Sequence, residues 1–138
     1  MALPTILGVN LVTPRGVVAH TDADSVQAPG ELGEFELLPG HVPMLTALKP
    51  GVLTIGTKQR ARYAVSSGYL RVDPAGAVEI LVEQALPVAD IDSEAAKRDL
   101  AAAEADLAKW GDKAIDGEFV NVQQRAGWAR ARLDAVAH

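Results

Sequence analysis

The stretch "AVEILVEQALPVADIDSEAAKRDL", residues 77–100, changes its repeat partway along. Before Pro87, Val78, Ile80 and Val82 alternate with Glu79 and Glu83, the two-residue period of a strand with one face on a core. After "LPVAD" the apolar residues recur every three or four: Ala96, Leu100, Ala103, Leu107 and Trp110. That spacing puts them on one face of a helix. A second stripe of the same kind follows at Phe119, Val122, Ala126, Ala129, Leu133 and Val136. Asp92 is placed to cap the first helix, and Gly111 and Gly117 bracket the connection "GDKAIDG". The two stripes therefore predict an antiparallel helical hairpin.

Upstream of the switch the chain reads as β structure. "TILGVNLVT" sets Leu7, Val9 and Leu11 on one face, and "RARYAVSSG" alternates Arg60 and Arg62 with Ala61, Tyr63 and Val65. Pro and Gly punctuate these runs at short intervals, as in a sandwich or barrel. Residues 5–86 are expected to form antiparallel β structure. The fold class is α+β: an N-terminal antiparallel β-sandwich over 1–88, then a C-terminal antiparallel two-helix hairpin over 89–138.

Composition limits both the core and the chemistry. Two Phe, two Tyr and two Trp in 138 residues leave Val, Leu, Ile and Ala to fill the interior. The 18 acids outnumber the 13 bases, for a net charge of −5, which argues against phosphate-driven nucleic-acid binding. The absence of cysteine excludes disulfides, thiolate catalysis and thiolate metal sites. "MALPTILGVN" reads as neither a secretory signal nor a transit peptide, and no apolar run reaches the length that spans a bilayer. Alanine at four of the eleven stripe positions buries little area, and Gly127 costs a helix about 1 kcal/mol relative to alanine. A hairpin held so weakly is expected to be able to change its docking partner, which is what a switch requires.

No motif supplies an active site. His41, in "PGHVP", has no metal-spaced partner; His20 lies in an expected strand region and His138 at the C-terminal end. Ser66 and Ser67 precede Gly68 without forming a nucleophile elbow, so a hydroxyl bonded to backbone is the expected role. No phosphate-cradling glycine pattern occurs. Glu34 and Glu36 share a strand face. Pro29, Gly30, Gly33, Pro39, Gly40 and Pro43 make the surrounding segment rigid and irregular, which suits a presented surface better than a cavity.

Four segments then resemble one family: "VTP" at 12–14, "DSVQAPGELGEFELLPGHVPMLTALKPGVLTI" at 24–55, "SGYLRV" at 67–72 and "VEILVEQA" at 78–85. They are similar to the epsilon subunit of bacterial and chloroplast F-type ATP synthases, whose mitochondrial counterpart is called delta. The resemblance implies a non-catalytic central-stalk subunit, without cofactor or active site, that helps couple rotation of the c-subunit ring to ATP synthesis. It implies binding to the gamma subunit and to the c-ring, the latter through Gly33, Glu34 and His41. It further implies contact between an extended hairpin and the alpha and beta subunits of the catalytic head, inhibiting ATP hydrolysis through Arg125, Arg130 and Arg132. Arg125 and Arg132 share roughly one helix face, with Arg130 about 200° from Arg132. Membrane association would come only through the complex, at the cytoplasmic face of a bacterial inner membrane. Some family members bind ATP through I/L-D-x-x-R-A; here Ile91, Asp92 and Ala96 match, but Ala95 stands in the arginine position. ATP binding is therefore expected to be weak or absent. The alternative reading is an ATP-sensing regulatory variant of the same subunit, and an independent sandwich enzyme is a distant third.

Overall fold

The structure, a computed structural model, describes residues 6–137. Residue 5, the expected opening of the β region, and His138 lie outside them. Ten strands come first: β1 (Leu7–Thr13), β2 (Gly16–Ala23), β3 (Ser25–Gly30), β4 (Gly33–Leu37), β5 (Met44–Leu48), β6 (Gly51–Gly56), β7 (Arg60–Val65), β8 (Gly68–Val72), β9 (Val78–Val82) and β10 (Ala85–Pro87). A 3-10 turn, Val88–Asp90, leads to α1 (Ser93–Ala108) and α2 (Gly117–Val136). The strands form one continuous sheet in the order β10-β7-β6-β3-β5-β8-β9-β1-β2, with β4 attached to β3. It folds over its apolar face as a sandwich.

The alternating residues behave as their period predicts. Leu7, Val9 and Leu11 of β1 and Val78, Ile80 and Val82 of β9 are all buried. They join Val26, Leu37, Leu53, Ile55, Val65, Leu70 and Val72 in one aliphatic core, with Phe35, Met44 and Tyr63 at its margin. Burying each large aliphatic side chain contributes about 1.5–3 kcal/mol, so this core is the main source of stability.

Pairing departs from the expectation at one ladder. β1 lies parallel to β9, Val9 opposite Val78 through Val12 opposite Leu81, rather than antiparallel. Alternation decides which face is buried and is blind to strand direction. A parallel neighbour needs a long connection, and the seven strands between β1 and β9 provide it.

Both helices begin at capping carboxylates. Asp92 Oδ1 accepts from the Ala95 N–H at 3.1 Å, and Asp116 Oδ1 accepts from Glu118 and Phe119 at 3.1 and 3.2 Å. Ala96, Ala103, Val122 and Ala129 of the two expected stripes are buried. At the tip of the hairpin Trp110 and Phe119 meet edge to face with centroids 5.2 Å apart. α2 also has a second face. Ala131 and Ala135 pack with Ala64 of β7, and Val52, Val88, Ile91 and Trp128 close around them. Beside this cluster, Ser67 Oγ donates to Gln124 Oε1 at 3.1 Å. Gly127 permits the approach, because a Cβ there would come within 3.0 Å of the Pro50 ring.

Candidate interaction surfaces and the nucleotide motif

β3 and β4 form a hairpin closed by two residues, Glu31 and Leu32, between the paired Gly30 and Gly33. Gly33 has φ +134°, a region that side-chain-bearing residues rarely adopt. The Glu31 N–H donates to Ala47 O at 3.0 Å, tying the turn to β5 and leaving Leu32 wholly exposed. Glu34 is exposed at the start of β4, while Phe35 and Leu37 turn toward the core. Glu36 Oε2, on the same outward face, accepts from Gln27 Nε2 at 3.1 Å. Glu31 and Leu32 are the tip residues that the sequence reading passed over. Their signal is the G-x-x-G spacing of a two-residue turn.

His41 follows the other end of β4. Its N–H donates to Leu38 O at 3.1 Å, closing the turn over residues 38–41, and its Nδ1 lies 2.8 Å from Val42 O. Both contacts are local, so the imidazole serves to fix the loop. Ser66 Oγ accepts from the Gln84 N–H at 2.8 Å, the backbone role expected of a serine there. Among the described residues no group of three or more acids and histidines is placed to hold a metal. None of their helices is long and apolar enough to cross a membrane.

The sheet carries a broad outward face across β5, β8, β9, β1 and β2. Strand pairing aligns Ala47, Tyr69, Leu81, Val12 and Val17 in one row, and Leu45, Arg71, Glu79, Asn10 and His20 in the next. Leu45 is 70% exposed, Tyr69 58%, Leu81 50% and Val17 63%, so these four make an open apolar patch, with Ala47 and Val12 half-buried beside them. Arg71 pairs with Glu79 in the middle of the polar row. A contiguous exposed apolar patch with a polar border marks a contact surface.

All three candidate arginines of α2 are brought to α1. Arg125 Nη2 donates to Asp106 Oδ2 at 2.7 Å, Arg130 Nη2 to Glu104 Oε1 at 3.4 Å, and Arg132 Nη2 to Asp99 Oδ2 at 2.9 Å. Arg132 is also stacked 5.3 Å over the Trp128 ring, and its side chain is only 12% exposed. The sequence reading located these cations and missed their acids, whose spacing on α1 repeats that of the arginines.

The residues matching the nucleotide motif are committed to the fold. Ile91 packs into the cluster that docks α2, and Asp92 caps α1. Ala95 offers no charge in the arginine position of the motif, and Arg98 is exposed one turn further on.

Residues 6–88 match the family described as ATP synthase, Delta/Epsilon chain, beta-sandwich domain. The ATP synthase epsilon chain of Geobacter sulfurreducens is 44% identical over 104 residues, covering 75% of this chain and 75% of that one. That of Xanthomonas euvesicatoria pv. vesicatoria is 34% identical over 129 residues, covering 92% of this chain and 89% of that one. A chain of the Euglena gracilis mitochondrial ATP synthase, solved as an OSCP/F1/c-ring assembly, superposes over all of this chain and 85% of its own length. Its TM-score is 0.80 at 21% identity, so sandwich and hairpin together recur in that fold. The chain belongs to the delta/epsilon family of ATP synthase subunits.

Proposed function

We propose that the chain is a non-catalytic subunit of the central stalk, coupling c-ring rotation to ATP synthesis in the catalytic head. Its two working units are the sandwich, 1–88, and the hairpin, 89–138. The open apolar face at Leu45, Tyr69 and Leu81 is the observation that carries this reading, because it gives the sandwich a surface for the gamma subunit. The turn at Glu31–Leu32, with Gly33 and Glu34 beside it, presents an acid and an apolar side chain to the c-ring, and His41 stiffens the adjoining loop. An exposed ion pair contributes about 0–1 kcal/mol, so the shape of this tip matters more than its charge. The complex works at the cytoplasmic face of a bacterial inner membrane, with this chain as a peripheral component.

The hairpin acts as a brake on ATP hydrolysis, through Arg125, Arg130 and Arg132 against acidic surfaces of the alpha and beta subunits. Its small-residue docking on β6 and β7 favours release as a unit. The test is hydrolysis by the assembled head with the full chain and with a chain ending at Val88, both checked for gamma binding. Binding retained with hydrolysis raised identifies sandwich as anchor and hairpin as brake. Equal hydrolysis with equal binding removes the brake from the proposal. Replacing the three arginines by alanine in the full chain is expected to raise hydrolysis in the same direction, and no change there sinks their assignment.

ATP sensing has little chemical support here, since Ala95 supplies no phosphate partner and both Ile91 and Asp92 have structural duties. Calorimetric titration of the isolated chain with ATP is expected to show no saturable micromolar binding. Saturable binding in that range reinstates the regulatory alternative.

A further inference from the structure

The charge pattern of α1 recurs on α2 with opposite sign. Around the fully buried Ala103, acids stand at offsets −4, +1 and +3: Asp99, Glu104 and Asp106. Around the fully buried Ala129, arginines stand at the same offsets: Arg125, Arg130 and Arg132. At about 100° per residue, offsets −4 and +3 fall on one flank of the seam and +1 on the other. Antiparallel packing then brings Asp106 to Arg125 and Asp99 to Arg132 along one side, and Glu104 to Arg130 along the other. The match holds in this alignment alone among neighbouring ones. A slip of one turn puts Arg125 opposite Ala102 or Trp110, and Arg132 opposite Ala95 or Ala103.

We propose that α1 is an internal decoy, whose three acids occupy the arginine face of α2 and must be exchanged for an acidic helical surface of a partner before α2 can engage it. The inference rests on the brake reading above and adds what holds the brake off. Its chemistry suits exchange. Five of the six side chains are half or more exposed, so the pairs are individually weak and screened by salt. The alanine seam beneath them adds little buried area to oppose separation. Arg132 is the most firmly held, by Asp99 on one side and the Trp128 ring on the other, and is the last to be surrendered.

The test uses the full chain with Asp99→Asn, Glu104→Gln and Asp106→Asn together. Amides of α1 and α2 are expected to exchange hydrogen about five- to tenfold faster than in the parent at low salt. At high salt the parent approaches the variant, whose own rates barely move. Pairing Asp106→Arg with Arg125→Asp restores that rung and slow exchange. A labelled peptide copying residues 93–108 is expected to bind the variant several-fold more tightly than the parent. The same peptide with its three acids neutralised gains nothing.

Exchange that ignores both the substitutions and salt overturns the proposal, as does equal peptide binding by parent and variant. With the assembled head, the variant is expected to reach half-inhibition at several-fold lower concentration. Faster exchange without stronger inhibition makes α1 a clip rather than a decoy and also overturns the proposal. Failure of the brake reading itself appears separately, as hydrolysis insensitive to removal of the arginines, and leaves the peptide result to stand alone.

Discussion

Leu81→Glu is expected to weaken binding of the sandwich to the gamma subunit about 100-fold while leaving the isolated chain folded. Leu81 lies on β9 between Tyr69 and Val12, at the centre of the apolar row of the outward face. Half of its surface is exposed in the free chain, so a carboxylate there points into water and costs little. Against a partner the same carboxylate is desolvated: Tyr69 and Val12 on either side of it carry no charge, and Arg71 in the next row is already paired with Glu79. Leaving a charge unpaired at the centre of an interface costs several kcal/mol, which is the origin of the expected factor. Tyr69→Glu acts in the same way one strand over, whereas Glu34→Gln at the β3–β4 tip leaves gamma binding unchanged. Biolayer interferometry with gamma-containing heads reads the loss, and thermal unfolding of the free chain guards against a folding defect. Unchanged affinity for both face variants moves the gamma contact elsewhere on the sandwich.

That face illustrates what a one-dimensional pattern carries. Leu7, Val9 and Leu11 announce their burial by alternation, because a strand sends successive side chains to opposite sides. The outward row of Ala47, Tyr69, Leu81 and Val12 is set by strand order, which brings residues 12 and 81 together across a parallel ladder. No local period encodes that neighbour. The helices show the same division. The stripe from Phe119 to Val136 predicts the face toward α1, yet Ala131, Ala135 and Trp128 form a second face whose purpose appears only when β6 and β7 are in place. The arginines were visible as charges, but spacing alone set Arg130 apart from the other two. The structure gives it Glu104 on the opposite flank of the same seam.

Gly127 shows most clearly how a residue that looks unfavourable in the sequence gains a reason from packing. In an isolated helix it costs about 1 kcal/mol against alanine. In the docked hairpin a Cβ would stand 3.0 Å from Pro50 Cγ and 3.3 Å from its Cβ, and a proline ring has no rotamer by which to yield. Gly127→Ala therefore sets a gain in helix propensity against a strained dock, and the two nearly cancel. Gly127→Leu tips the balance, since a bulky side chain built on a Cβ only 3.0 Å from the rigid Pro50 ring presses on it harder than alanine does, and the helix is expected to lift from β6 and β7. The expected result is release of α2 from the sandwich with its helicity kept by circular dichroism. Amides of α2 then exchange at least tenfold faster. Emission of Trp128, read in a Trp110→Phe background, shifts to longer wavelength as the cluster with Ala64, Ala131 and Ile91 opens. In the assembled head the released hairpin inhibits hydrolysis more strongly than the parent, since no docking energy has to be surrendered first. Emission and exchange identical to the parent would mean that Pro50 and Gly127 are not the point of closest approach, and that something other than small-residue packing holds the hairpin down.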